Sequence, residues 1–283
     1  MILAAGRGER MRPLTDSTPK PLLRVRGKPL LQWHLEALYR GGCRHALINT
    51  AWLGDHITLK FGSVFRPQPT WNKRKQLSIE EQTASELRLA YSHEGRDFGA
   101  ALETAGGIVR ALPLLDEVFW VLGGDVFAPD FDFNQAAMDP FTASDKLAHL
   151  WLVPNPEHHP RGDFGLEFPS APDNADPTVG LALNLPDDDA RPRLTYSTIG
   201  LYRRAFFTAP FCDIPFGNPQ GFAAPLGPMM RAGMDQQRVS ASLYAGRWTQ
   251  LVGNWELPAV GGPEVTNRRG VGADPEALSM FSR

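Results

Sequence analysis

The chain has 283 residues, 42% hydrophobic and 21% charged, enough to bury roughly three quarters of its unfolded surface without a disulfide or metal staple. Its formal net charge of −2 argues against a nucleic-acid or anionic-membrane partner, because those need a broad basic surface. That balance hides an asymmetry: residues 1–30 hold Arg7, Arg10, Arg12, Lys20, Arg24, Arg26 and Lys28 against Glu9 and Asp16, a net of +5. Cys43 and Cys212 have no metal-ligand spacing, so a reduced, cytoplasmic setting is expected. Met1–Ala5 is too short for a signal-peptide core, and no run approaches the roughly 18 apolar residues of a membrane span.

Taken in order, Ile2–Ala5 reads as the end of a buried strand and opens into a glycine-containing, arginine-rich loop. Pro29–Tyr39 carries apolar residues at helical spacing behind a proline and stops at Gly41-Gly42, the usual punctuation of a helix. His45–Asn49 reads as a short strand, Gly106–Leu112 as a helix, and Val118–Leu122 and Leu147–Val153 as further apolar strands. Strand alternating with helix predicts a parallel sheet in an α/β layer fold. Residues 66–86, which include the basic run WNKRK flanked by glutamates, and residues 170–193, rich in Pro and Asp, read as surface excursions; 257–283 reads as a loose tail.

The chemistry is concentrated in Leu3–Leu22, LAAGRGERMRPLTDSTPKPL. Glycines let the backbone approach a phosphate and present its N–H groups to it. Two common phosphate motifs are excluded: Met11 stands where a dinucleotide fingerprint needs its third glycine, and Gly27-Lys28 is followed by Pro29 rather than Ser or Thr. What remains is a strand, a glycine turn, Arg10, and a rigid Thr18-Pro19-Lys20-Pro21 that would hold one lysine in place. Downstream, Asp125 in VLGGDVF follows a buried strand, where α/β sheets place ligand groups. His158 and His159 have no third ligand at metal spacing, and no nucleophile elbow or Cys/His pairing suggests a covalent hydrolase.

The segment resembles the signature of the sugar-1-phosphate nucleotidylyltransferases, L-A-A-G-x-G-x-R-[ML]-x-P-x-T-x-x-x-P-K-P, with every fixed position present. The resemblance implies a single Rossmann-like, three-layer (GT-A-like) nucleotidyltransferase domain over residues 1–256, with a mostly parallel central sheet. It implies a nucleotide site of Leu3, Ala4, Ala5, Gly6, Gly8, Glu9, Arg10 and Lys20, with Arg10 and Lys20 catalytic. It also implies Mg²⁺ at Asp125, and Thr104, Gly106 and Gly107 of LETAGGI beside the nucleobase. Thr104 doubles as a candidate helix cap. The family often has Asn where this chain has Gly123, which removes one ribose or phosphate contact.

TAWLGDHI (50–57), LETAGGI (102–108), NPEHHPRGDF (155–164) and TYSTIGL (195–201) are similar to the branch of the family that joins UTP to N-acetylmuramate α-1-phosphate in peptidoglycan recycling. On that resemblance Asn155, Asp163 and Ser197 form the sugar-phosphate site, and the partners are UTP and a sugar 1-phosphate. Glucose- or mannose-1-phosphate is the alternative acceptor, and a nucleotide-sugar binding or regulatory protein the alternative class. Two departures stand out. The first strand starts about two residues short of the family's. The family pattern Trp-x-Asp-Val-Gly-Thr, whose aspartate helps bind the metal, reads Trp248-Thr249-Gln250-Leu251-Val252-Gly253-Asn254, which implies weaker metal binding and lower turnover. The family's closing helix is not recognisable beyond that point, as a shifted reading frame or a divergent coding end would leave it.

Overall fold

A computed structural model describes residues 1–67, 86–168 and 178–251. Its strands are β1 (Ile2–Ala4), β2 (Arg24–Val25), β3 (Lys28–Pro29), β4 (His45–Thr50), β5 (Val64–Phe65), β6 (Leu87–His93), β7 (Val118–Gly123), β8 (Val126–Phe127), β9 (Ala148–Val153), β10 (Gly165–Glu167), β11 (Val179–Leu183), β12 (Thr195–Arg203), β13 (Val239–Leu243) and β14 (Thr249–Gln250). The helices are α1 (Leu14–Ser17), α2 (Leu30–Arg40), α3 (Gly54–Phe61), α4 (Glu94–Phe98), α5 (Glu103–Ala111), α6 (Gln135–Ala143) and α7 (Leu226–Asp235).

Ten strands form one sheet in the order β10-β11-β13-β9-β12-β7-β1-β4-β6-β5. Every strand but β5, β11 and β12 runs in the same direction, so the sheet is mostly parallel as expected. β1 lies in its middle, parallel to β4 and β7, and Ile2 is fully buried. Helices cover both faces, which β7 shows residue by residue. Phe119 and Val121 join a core with Ile108, Val109 and Met230, whereas Trp120 and Leu122 join one with Leu31, Leu35 and Ile57. Opposite burial of alternate residues is the period-2 geometry of a strand sandwiched between two layers.

α2 forms where the apolar spacing predicts. Leu30, Leu31, His34, Leu35 and Leu38 fall on its buried face, and each fully buried leucine stabilises by about 1.5–3 kcal/mol. It ends at Gly41, where a Cβ would lie 2.1 Å from the carbonyl oxygen of Phe133, so only glycine lets the chain leave there.

Some elements differ from the sequence reading. α5 starts at Glu103 with Leu102 as its N-cap and no side-chain cap bond, so Thr104 lies in the first turn rather than capping it. The second expected excursion is narrower: 169–177 lie outside the described residues, but Val179–Leu183 is a strand with Gly180 and Ala182 buried. Its short alternating run was obscured by the prolines and aspartates around it. Residues 68–85 of the first excursion and the tail 257–283 also lie outside the described residues. Among the described residues no helix is long and apolar enough to cross a membrane.

Candidate active site

The glycine loop leaves the carboxyl end of β1. Gly8 has φ 68°, and a Cβ on it would come within 3.0 Å of Thr15 Cγ2, so this turn requires glycine. The Gly8 carbonyl accepts from Met11 N–H at 2.9 Å and from Thr15 Oγ1 at 2.9 Å, which closes the loop on itself. Arg7 is committed to that scaffold: it donates to the Thr15 carbonyl and to Asp16, and stacks 3.6 Å from the centre of the Trp52 ring. The Arg7 bond, with Arg12 beside it, holds the Asp16 carboxyl below the usual carboxylate range. Arg10 is exposed and faces the cleft.

Lys20 sits between two prolines in a 3-10 turn closed by Leu22 N–H to the Pro19 carbonyl and Leu23 N–H to the Lys20 carbonyl. Its Nζ reaches Asp125 Oδ2 at 2.7 Å. Asp125 is fixed from both sides. Gly124 N–H donates to the Leu3 carbonyl at 2.7 Å, and the Asp125 carbonyl accepts from Leu251 N–H at 2.9 Å. A Cβ at Gly124 would approach the Leu3 oxygen to 2.6 Å, so glycine is what lets β7 end this close to β1.

These groups line a cleft of about 780 Å³ at the carboxyl ends of β1 and β7, the position where open α/β sheets bind ligands. Leu3, Ala4, Ala5, Gly6, Gly8, Glu9, Arg10, Lys20, Thr104 and Asp125 all line it. The cationic end faces an apolar one formed by Val121, Tyr196, Pro225, Leu226 and Met230.

Five residues proposed from sequence lie elsewhere. Gly106 N–H bonds the Ala224 carbonyl, and a Cβ there would meet the Phe222 carbonyl oxygen at 2.4 Å; one on Gly107 would meet Glu94 Oε1 at 2.6 Å. Both glycines serve close packing, not the cleft wall. Asn155 braces a loop by donating to the Pro160 and Arg193 carbonyls and accepting from Thr195 Oγ1. Asp163 accepts from Tyr196 N–H at 2.8 Å and is 3.1 Å from His159 Nε2. Ser197 is fully buried and donates to the Trp151 carbonyl at 2.6 Å. The cleft receives Tyr196 and Thr198 instead, the two residues that alternate with buried Ser197 along the start of β12, where the strand also breaks register against β9 and Thr198 takes φ 63°. Asn49 and Glu103 also line the cleft; Asn49 has no local motif, and Glu103 lies within LETAGGI without being singled out there.

Gln250 arrives beside Asp125, at the place the family pattern Trp-x-Asp-Val-Gly-Thr assigns to its aspartate. β14 pairs with β8, Gln250 opposite Val126, and its Nε2 donates to Asp125 Oδ2 at 3.3 Å. An aspartate at 250 would set two carboxylates side by side, an arrangement that repels unless a cation lies between them. Among the described residues no three His, Cys, Asp or Glu side chains cluster here, so a divalent cation at this place would take one carboxylate from Asp125 and its other oxygens from a substrate, the usual habit of Mg²⁺.

The sequence model of the family described as Nucleotidyl transferase matches residues 1–167. The N-acetylmuramate alpha-1-phosphate uridylyltransferase of Neisseria meningitidis serogroup B is 41% identical over 89% of this chain and 91% of its own. The mannose-1-phosphate guanylyltransferase catalytic subunit beta of Drosophila pseudoobscura pseudoobscura is 36% identical over 48% of this chain and 31% of its own. A solved UDP-glucose pyrophosphorylase complexed with UDP-glucose shares the fold, with TM-score 0.61 and 17% identity over 87% of this chain and 90% of that one. With the signature loop, Lys20 and Asp125 assembled at one cleft and a relative matched along almost the whole length, the chain belongs to the nucleotidyl transferase family and is a nucleotidyltransferase.

Proposed function

We propose that this enzyme transfers UMP from UTP to N-acetylmuramate α-1-phosphate, giving UDP-N-acetylmuramate and pyrophosphate. The observation that carries the reading is the contact of Lys20 with Asp125 at 2.7 Å beside the glycine loop, in a chain 41% identical to a uridylyltransferase of that acceptor. In the reaction a phosphate oxygen of the sugar attacks the α-phosphorus of UTP, and the bond to the β-phosphate oxygen breaks. Two anions must meet, and charge builds on the departing pyrophosphate, so fixed cations lower the barrier. Arg10, exposed at the cleft and tied to no described acid, takes the pyrophosphate. Lys20, held at one height by its flanking prolines, takes the phosphate at the reacting centre. Asp125 would hold Mg²⁺, which supplies further neutralisation of the triphosphate when bound. The nucleotide lies along the glycine loop, and the sugar lies toward Tyr196, Thr198, Leu226 and Met230.

Pyrophosphate release with UTP and a panel of sugar 1-phosphates tests this. Turnover greatest with N-acetylmuramate α-1-phosphate supports it, and preference for glucose- or mannose-1-phosphate moves the chain to another branch. Gln250 beside Asp125 favours one second reading, a nucleotide-sugar binding protein with weakened metal ligation. UTP binding without release of pyrophosphate at any Mg²⁺ concentration would establish that instead.

A further inference from the structure

Glu94 is fully buried at the start of α4, far from the glycine loop in sequence. Its Oε1 accepts from Asn49 Nδ2 at 2.7 Å and its Oε2 from Leu102 N–H at 2.8 Å. The Asn49 Oδ1 in turn accepts from Ala4 N–H at 2.8 Å. Among the described ion pairs none reaches this carboxylate; Arg110, the cation acting on it from a distance, is bonded to Asp97. Burial raises the Glu94 carboxyl above its ordinary range, opposed by the bonds from Leu102 and Asn49. A buried carboxylate without a contacting cation is costly, and here it is kept at the junction of three segments that wall the cleft.

The order of donors along this chain is fixed. Ala4 and Leu102 contribute backbone N–H groups, which cannot reverse, so Asn49 must present its oxygen to Ala4 and its NH₂ to Glu94. Both oxygens of Glu94 then accept, the role an ionised carboxylate fills with each oxygen and an amide side chain does not. Leu102 also precedes Glu103, a cleft residue at φ 56°, a strained conformation that persists only when its neighbours hold it. Gly107 leaves the room the carboxylate occupies, since a Cβ there would lie 2.6 Å from Oε1 and 3.0 Å from Asn49 Nδ2.

We propose that Glu94 is a positioning residue for the nucleotide half of the cleft: through Asn49 its carboxylate ties Ala4, at the mouth of the glycine loop, to the strained Leu102–Glu103 wall. The inference rests on the reading that this cleft takes UTP. Replacing the carboxylate by the isosteric amide in Glu94→Gln turns one NH₂ toward a donor. UTP affinity by calorimetry falls about tenfold or more, hydrogen exchange of the Leu102 amide accelerates, and KM for the sugar 1-phosphate at saturating UTP stays within about twofold, the loss being confined to the nucleotide side. In the double variant Asn49→Asp with Glu94→Gln, the carboxylate introduced at 49 accepts from Ala4 and from the amide at 94, whose oxygen accepts from Leu102. Every bond is remade in the reverse order of charge, so Leu102 protection and most of the UTP affinity return, also where the single variant folds poorly. Unchanged UTP affinity in Glu94→Gln, equal losses for both substrates, or no recovery in the double variant overturns the inference. Wild-type protein that fails to bind UTP instead overturns the functional reading, and the inference with it.

Discussion

Lys20 Nζ and Asp125 Oδ2 stand 2.7 Å apart with their side chains 11% and 29% exposed, joining the prolyl-braced turn after the glycine loop to the carboxyl end of β7. The two charges hold each other in register, and in the proposed reaction the triphosphate would take the place of Asp125 as the partner of Lys20. Removing the cation leaves the fold nearly intact, because partly exposed pairs contribute little to stability, but takes away a group aimed at developing charge. Lys20→Ala is expected to lower kcat/KM by about 10²–10³ with a melting temperature close to wild type. Steady-state pyrophosphate release and thermal denaturation measure the two effects, and near-native turnover would remove Lys20 from the site.

Gln250 offers a test of the Mg²⁺ proposed at Asp125. Gln250→Asp replaces the 3.3 Å amide contact with a second carboxylate facing Asp125. Without a divalent ion the like charges repel, so the variant melts lower than wild type at low salt. With Mg²⁺ the order reverses, and the concentration giving half-maximal activity falls by about five- to tenfold, since one added charged ligand is worth on the order of 1 kcal/mol. Magnesium titrations followed by activity and by melting temperature check both signs. Identical titrations for the two proteins would mean that position 250 does not face the ion.

How much of this was readable beforehand depended on how local the determining contacts are. The cationic end was legible because Gly8, Arg10 and Lys20 fall within one signature of twenty residues, and Asp125 because it ends an apolar strand. The apolar end of the cleft was not. Ser197 is marked only by the family resemblance of TYSTIGL, whereas the alternating burial along the start of β12 puts Ser197 inside and leaves Tyr196 and Thr198 on the side that reaches the cleft. LETAGGI likewise fits a base-binding strip and a helix start equally well. What decides between them is the approach of Phe222 and Glu94, distant in sequence, to Gly106 and Gly107.

The Ser197 hydroxyl is spent inside the fold. It donates to the Trp151 carbonyl at 2.6 Å and accepts from Ile199 N–H at 3.2 Å, fixing the irregular part of β12. Ser197→Ala leaves both groups buried without that partner, a loss of about 1–3 kcal/mol. Urea denaturation should show this destabilisation, with KM for the sugar 1-phosphate raised because Tyr196 and Thr198 lose their support. A rise in KM with no change in stability would instead make the hydroxyl a direct contact.

His34 contributes to the acid side of the stability profile. It is buried on α2 beneath β8, and burial pushes its imidazole down from 6.5 to about 4, opposed by its hydrogen bond to the Val126 backbone and by the nearby Asp125 charge. The folded protein keeps this ring neutral, while the unfolded chain protonates it near pH 6.5. Above that pH neither state binds the proton and the residue adds no pH dependence. Between about 6.5 and 4 only the unfolded state binds it, so stability falls as pH falls, by about 3 kcal/mol across the window at 1.4 kcal/mol per pH unit. Below pH 4 the native ring protonates as well and this contribution levels off. Because His34 supports the strand that begins one residue after Asp125, the same window should weaken the site before global unfolding. His34→Gln keeps a hydrogen-bonding side chain but cannot titrate, so its urea midpoint should change less between pH 6.5 and 4 than that of wild type. Parallel pH profiles for the two proteins would place the acid sensitivity elsewhere.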